Sequence, residues 1–358
     1  MTEQSWVALV PRDTVFVRDG RSFNAAADTL AATVLPGPAT AAGAVGAAFG
    51  AEPDEVRGPV FARRVAGQWR PYFPVPADLV VCADAPESLV YRLKPEELAG
   101  DTDLDQLPGE HGAGPGERVC VPERWLVPPL AAEPAEPLSG WLSATDLTAY
   151  LAGELLDSGG VTPGDLDLGT PFERERRVGL ARDDRTARAG FLYQTEHLRP
   201  HENWAFLAQY TYKPDWASRL TGPVSFGGRG RLVDTEEAVS RWPECPDPFS
   251  AKRVLVYLVT PALWPTGWHP PLPPGARLIA AATGKPEVVA TLTPGPDPKK
   301  TRTLRWAVPA GSVFLLEFDT AERGAAWATD VHGTAYAPGT DDRLRTAGFG
   351  VVLTGVWK

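Results

Sequence analysis

Phe226-Gly227-Gly228-Arg229-Gly230-Arg231 puts three glycines and two arginines into six residues, with Val224 before them and Leu232 and Val233 after. Glycine reaches positive φ and leaves its amide uncovered by a side chain. Successive amides of this kind form a concave nest for an anion, and arginine adds planar, bidentate donors matched to phosphate. A phosphodiester backbone is the ligand that suits the combination. A tight turn with solvated arginines accounts for the same residues without any ligand, and the stretch alone leaves both readings open. Two better-known glycine motifs are excluded. No Lys-Ser or Lys-Thr follows the loop, as a nucleoside triphosphate P-loop requires, and the glycine spacing is not that of a dinucleotide fingerprint.

The rest of the chain offers less chemistry. His197 and His201 flank Arg199-Pro200 and are the best candidates for a general base among the five histidines, which also include His111, His269 and His332. A metal-independent ribonuclease would need such a base near its working pH, but Pro200 breaks any shared helical face. Asp183-Asp184 and Asp341-Asp342 are adjacent carboxylates, which point to opposite faces of a strand, and no histidine joins them. No metal site and no cofactor is expected. Cys82, Cys120 and Cys245 are far apart and odd in number, which fits a reducing cytoplasm better than a disulfide framework. No signal peptide is read at Met1–Val10, and no apolar run approaches the ~20 residues that span a bilayer.

Net charge is −10, yet it is unevenly spread. Residues 84–172 hold 17 acidic against 4 basic residues, whereas residues 173–231 hold 11 basic against 7 acidic ones. The glycine loop closes the one basic segment, and local potential rather than the total decides where a polyanion binds. Within that segment Arg182, Arg185 and Arg188 lie between the short apolar stretches Arg177–Leu180 and Gly190–Tyr193, which reads as a protruding hairpin with a basic tip. Pairing with Asp183 and Asp184 is the plainer account of these arginines. Arg18 and Arg21 follow the first strand, where pairing with Asp13 or Asp19 in a turn is the alternative to a ligand.

The elements that must position these residues alternate short strands with few helices. Strands are expected at Trp6–Val17, at Val60–Val65 and Gln68–Phe73 around Ala66-Gly67, at Ala205–Tyr212, Val254–Thr260 and Ser312–Phe318, and at Phe349–Trp357. Leu278–Thr283 and Glu287–Thr293 read as a hairpin about Gly284-Lys285. Helices are expected at Ala39–Phe49, at Thr145–Leu156 behind a Ser143 cap, and briefly at Asp215–Leu220. At 358 residues, with 37 prolines and 35 glycines, the chain suggests two α+β units rich in turns. Trp204, Trp216, Trp242, Trp264 and Trp268 sit in loop-like surroundings and are candidates for interface or base-stacking positions.

The stretch Trp6…Pro11-Arg12-Asp13-Thr14-Val15-Phe16-Val17-Arg18-Asp19-Gly20-Arg21-Ser22-Phe23 resembles the start of the third subunit of type III-B (Cmr) CRISPR effector complexes, of the RAMP superfamily. Tyr72–Leu79, Arg177–Leu180 with Gly190–Tyr193, the Phe226–Arg231 loop, Val308–Phe314 and Gly348…Trp357 agree with it in order. Where the family usually carries an acidic residue between the second and third loop glycines, this chain has Arg229, which makes the loop more cationic. The resemblance implies two ferredoxin-like (RRM-like) domains side by side with a loop-rich insertion. Residues 1–245 would form the first, carrying the acidic insertion at about 84–172 and the basic hairpin at about 177–193, and 246–358 the second. It implies a non-catalytic, cytoplasmic subunit that binds the 5′ tag of the CRISPR RNA and docks on the large palm-domain subunit. Backbone subunits and, indirectly, target RNA would be further partners in defence against foreign nucleic acid. RNA would then meet Gly227, Gly228, Arg229, Gly230 and Arg231, with Arg18, Arg21, Arg182, Arg185 and Arg188. A CRISPR-RNA-processing ribonuclease and a purely structural scaffold are the alternatives.

Overall fold

A computed structural model describes residues 3–18, 30–97, 122–129, 132, 134–157, 159–183, 185–212, 220–246, 252–293 and 301–358. The first sheet is assembled from β1 (Glu3–Pro11), β2 (Glu55–Val65), β3 (Gln68–Pro74) and two later strands given below. Between β1 and β2 runs α1 (Pro38–Phe49). Proline at its first turn costs α1 no hydrogen bond. Its Ala41, Ala44, Val45 and Ala48 recur at helical spacing and are buried, and Gly50 ends it in a left-handed conformation. β2 and β3 close through Ala66 (φ 49) and Gly67 (φ 79), the paired positive φ of a two-residue hairpin turn. The Ser143 side chain accepts from the Asp146 amide and starts α2 (Ala144–Leu151), which is shorter than predicted because the chain turns at Gly153 (φ 75).

A long hairpin follows, β4 (Phe172–Asp183) with β5 (Thr186–Pro200), and then β6 (Trp204–Tyr212) and β7 (Leu232–Ala238). The central order is β7-β1-β6-β2, antiparallel between neighbours. β1 and β2 are therefore parallel, with β6 between them. β3 and the short Trp141–Ser143 and Leu168–Gly169 extend the sheet on one side, and Val224–Ser225 on the other. The second sheet contains β8 (Arg253–Leu258), β9 (Ala276–Ala282), β12 (Val313–Phe318) and β13 (Val351–Val356). α3 (Ala321–Val331) precedes β13, and a two-stranded ribbon, β10 (Glu287–Thr293) with β11 (Thr301–Ala307), interrupts the sheet order. Its order, β13-β8-β12-β9, repeats the arrangement of the first. The connection from β8 to β9 contains no helix.

Alternation along the strands explains the layers. Val7 and Leu9 of β1 pack with α1, while Trp6 and Ala8 face the other way into a core shared with Leu255, Tyr257, Leu315 and Leu353 of the second sheet. Val254, Val256 and Leu316 turn outward to Ala328 and Val331 of α3. Each fully buried aliphatic side chain contributes about 1.5–3 kcal/mol, so strands apolar on both faces belong in the middle of such a stack.

Most expected elements form, with three differences besides the shorter α2. The first strand ends at Pro11, and only an isolated bridge continues it at Val15 and Phe16. β9 does not pair with β10; it pairs with β12, and β10 with β11. Pro286 lacks the amide that a tight Gly284-Lys285 hairpin would use, and polar Thr301–Arg305 conceals β11. The basic hairpin is longer than expected, because charged Glu173–Arg177 pairs in register with Thr195–Arg199. The short helix expected at Asp215–Leu220 lies outside the described residues apart from Leu220, and the turn expected at residues 18–21 lies outside them apart from Arg18.

The two sheets are locked at a seam. The buried Tyr257 hydroxyl donates to Pro74 O at 2.5 Å and Ala77 N to Gly311 O at 2.9 Å, while on the second sheet's side Thr260 Oγ1 holds Gly348 O at 2.7 Å. Gly348 has φ +95, and a Cβ there would lie 2.4 Å from Val56 O. Gly348→Ala is expected to destabilise the protein by about 2–4 kcal/mol through strain and overpacking. Urea denaturation checks this; a midpoint equal to wild type would show that the seam yields.

Candidate nucleic-acid interface

Asp13–Phe16 is the short irregular segment on which the site is built. Val15 exchanges backbone bonds with Leu198 of β5 at 2.7 and 2.9 Å, which fixes the hairpin beside it. On its other side Phe16 O accepts from Gly228 N at 2.7 Å, which fixes the glycine loop. Gly227 has φ +84, and a Cβ there would fall 2.5 Å from Phe16 O, so the loop can approach this closely only with glycine. Within the loop Phe226 N bonds Arg231 O, Arg231 N bonds Gly228 O, and the Phe226 ring is fully buried. Half the amides are thus bonded within the protein. Those of Gly227, Arg229 and Gly230 have no partner among the described residues, and all three residues are exposed.

Beside the loop, β4 and β5 bring charges onto one face. Register places Glu175 opposite His197, Arg177 opposite Thr195, and Gly179 opposite Tyr193. Asp13 Oδ2 lies 2.5 Å from Arg231 Nη1 and 3.4 Å from Arg177 Nη2, while its Oδ1 lies 3.4 Å from Arg199 Nη2. Glu175 binds Arg177 Nε at 2.5 Å and also Arg199 Nε. The Arg229 guanidinium lies 5.3 Å from the centre of the Phe16 ring and 5.5 Å from that of Tyr193, within cation–π range. No carboxylate among the described residues pairs with it. Four guanidiniums therefore face two carboxylates, and the local charge is positive on a protein that is negative overall.

The carboxylates and His197 respond to this setting. Burial acts to raise the Asp13 pKa, but the Thr14 amide and the charges of Arg177 and Arg231 outweigh it and hold it below the usual range. Hydrogen bonds from Arg199 and Arg177 lower that of Glu175. His197 is 1% exposed, with Nδ1 3.0 Å from Thr14 Oγ1 and Nε2 3.3 Å from Thr195 Oγ1. Burial, then the charges of Arg177, Arg231 and Arg229, push its pKa down to about 4, against a smaller opposing effect of Glu175. It is a neutral, enclosed spacer rather than an accessible base. His201 is exposed, and its amide donates to Pro171 O.

The residues expected to bind RNA are only partly assembled. Gly227, Gly228 and Arg18 line one cleft, and Arg229 and Arg231 stand at the arginine cluster. Arg231 is bound to Asp13 through Nη1, while its buried Nε has no partner among the described residues. Arg185 is exposed at the hairpin tip with φ 76. Arg21 and the side chains of Arg182 and Arg188 lie outside the described residues. Asp13, Glu175, Arg177, Arg199 and Tyr193 were not expected in the site; for all but Asp13 the signal was the alternation Glu175-x-Arg177 and Tyr193-x-Thr195-x-His197-x-Arg199, which puts them on one face. Of the tryptophans, Trp204 and Trp264 are core, Trp242 packs on Trp6 at 4.8 Å, Trp268 is exposed, and Trp216 lies outside the described residues. Asp341 caps a short helix by accepting from Arg343 N. Among the described residues no group of three or more His, Cys, Asp or Glu could hold a metal, and no helix is long and apolar enough to cross a membrane.

A family model described as CRISPR-associated protein (Cas_Cmr3) matches residues 7–357. The chain belongs to the Cmr3 family. It is a subunit of a type III-B CRISPR effector. Two solved chains are similar to this Cmr3-family protein at 12% identity, each over 87% of this chain and 86% of its own length. One is from the cryo-EM structure of the Type III-B Cmr-beta bound to cognate target RNA and AMPPnP, state 1, with TM-score 0.48. The other is from Type III-B Cmr-beta bound to cognate target RNA, with TM-score 0.47. No curated protein matches this Cmr3-family chain.

Titration of His197 gives a test of the site's packing. The unfolded chain takes up this proton near pH 6.5 and the folded Cmr3-family protein only near about 4, so the unfolded state binds more protons between those values. The contribution to stability is complete above pH 6.5 and declines as pH falls toward 4. Asp13 and Glu175, whose folded pKa values are lowered, lose their contribution only at lower pH. His197→Gln is therefore expected to flatten the dependence of stability on pH between 6.5 and 5, measured by urea denaturation at each pH. An undiminished slope would show that His197 titrates as in solvent.

Proposed function

We propose that this subunit holds the 5′ tag of the CRISPR RNA by its phosphates, without catalysis, in the effector that defends against foreign nucleic acid. The observation that carries the reading is the exposed Phe226–Arg231 loop, whose free amides at Gly227, Arg229 and Gly230 lie beside an arginine cluster of net positive charge. Such amides and guanidiniums suit phosphate rather than base edges. The hairpin β4–β5, with Arg185 at its tip and Arg182 and Arg188 on its strands, would run along the same strand of RNA. Arg18 and Arg21 would meet it from the segment after Phe16. Docking on the large palm-domain subunit and the backbone subunits belongs to the same reading, with the acidic insertion at about 84–172 as the candidate docking surface.

The fold supports this assignment. The orders β7-β1-β6-β2 and β13-β8-β12-β9 are those of a βαββαβ ferredoxin-like unit, and we read residues 1–245 and 246–358 as two such domains. The second has exchanged its first helix for the proline-rich connection after β8. A processing nuclease is disfavoured, because both ring nitrogens of His197 are occupied by threonines and the ring is enclosed. A labelled repeat RNA is expected to remain intact with the purified chain; cleavage that His197→Ala abolishes would restore the nuclease reading.

Arg229 is the cleaner probe of phosphate binding, since Arg231 is already engaged by Asp13. Arg229→Ala is expected to weaken binding of single-stranded tag RNA and to reduce the salt slope by about 0.7–1, the value of one phosphate contact. Arg231→Ala should have a smaller effect on the slope. Filter binding from 50 to 200 mM salt, a range chosen to resolve roughly one unit of slope, measures both. Unchanged affinity and slope in Arg229→Ala would remove the loop from the RNA site.

A further inference from the structure

The glycine loop forms one wall of a cleft of about 1120 Å³, and the opposite wall belongs to the second sheet's ribbon, β10–β11. That volume exceeds the ~300–1,000 Å³ of ordinary small-molecule pockets, which suits a segment of polymer. The ribbon has two distinct faces. Register pairs Val288 with Trp306 and Ala290 with Leu304, so these four side chains share one face. The other face is anchored: Thr291 and Ala307 are buried, and Val289 packs with Leu263 and Phe349. The outer face is open, with Trp306 at 74% and Leu304 at 52% exposure.

A ring as large as indole, held on an anchored ribbon and left in water, is a stacking surface without an occupant. Val288, Ala290 and Trp306 line the cleft together with Gly227 and Gly228. Among the described residues, the charged ones lining it are Arg18, Arg174 and Glu287. Arg174 pairs with Glu196 and donates to Thr33 O at 3.2 Å. The ribbon's apolar and aromatic side chains thus share the cleft with the free amide of Gly227 and with the cations Arg18 and Arg174, while Glu287 adds one acidic group. A nucleotide has the same polarity, with a flat base on one side and a phosphate on the other.

We propose that the cleft takes an unstacked nucleobase of the strand whose phosphates lie on the glycine loop, with the base stacked on Trp306. The inference rests on the phosphate-binding reading and adds to it a base site built from the second sheet. Stacking on aromatic side chains is tolerant of sequence and affects affinity by roughly 5- to 150-fold per base. It adds no charge contact, so it leaves the salt slope alone.

The test uses the full chain and labelled single-stranded tag RNA, intact or carrying one abasic residue at each successive position, read by fluorescence anisotropy. Wild type is expected to lose affinity at one abasic position in particular. Trp306→Ala is expected to bind intact RNA roughly 5- to 150-fold more weakly, with the same salt slope, and to be indifferent to the abasic residue at that position. Trp306→Phe should recover most of the loss. Because Trp306 is exposed, the alanine variant should fold, and its circular dichroism should match wild type. If Trp306→Ala binds every RNA as wild type does while Arg229→Ala is weakened, the base site is overturned and the phosphate reading stands. If Arg229→Ala keeps its affinity and slope, the phosphate reading falls and the base site with it. A Trp306→Ala chain that binds RNA normally but fails to assemble with neighbouring effector subunits assigns the ribbon to protein contact and overturns the proposal.

Discussion

The approach of Gly228 N to Phe16 O is the contact on which the site depends. It draws the glycine loop onto a segment that Val15 has already tied to the hairpin through Leu198. At these contacts loop and hairpin each lie more than 180 residues along the chain from Asp13–Phe16, yet both converge on it. Any side chain at Gly227 would push the loop away from Phe16 O, and Arg231 would then move away from Asp13. The backbone contact thus sets the electrostatics as well as the shape.

Those electrostatics are arranged to present positive charge without excessive strain. Like charges a few ångströms apart cost several kcal/mol at the effective dielectric of a protein surface. Asp13 and Glu175 relieve that repulsion by sharing Arg177 and Arg199 between them, and Asp13 also takes Arg231. Beneath them His197 stays neutral, first because it is buried and then because a fifth positive charge would add to the same repulsion. Arg229 escapes this compensation by resting on Phe16 and Tyr193, and Gly179 leaves the space in which the Tyr193 ring lies over the strand. The result is one weakly compensated cation on an aromatic base, next to free amides.

Much of this was legible in the chain. α1, the β2–β3 hairpin and the strands of the second sheet follow from apolar spacing and turn residues, and the loop was singled out by composition alone. β10 is expected as a strand, but its partner β11 is not, because Thr301–Arg305 alternates polar and charged residues with one leucine, which reads as a loop; only pairing with β10 makes it a strand. The arginine cluster was missed for a related reason. Period-2 alternation tells which side chains share a face, but it does not say that Asp13, from the irregular segment after β1, will lie across that face. Register and tertiary contact decide that, and neither is written in local sequence.

The stretches that resemble the Cmr3 family have a physical reason to be distinctive. Tyr72–Leu79 contributes Pro74 O and Ala77 N to the seam, and Val308–Phe314 supplies Gly311 O. Gly348 approaches Val56, and Gly355 lies against Leu151, where a Cβ would meet a backbone oxygen at 2.7 Å. These are positions where backbone meets backbone, and side-chain substitution is least tolerated there. The seam also fixes how the second sheet stands relative to the first. Trp306 stands on the ribbon β10–β11 and Gly227 on the loop before β7, so the way the seam joins the two sheets also sets the cleft between these residues.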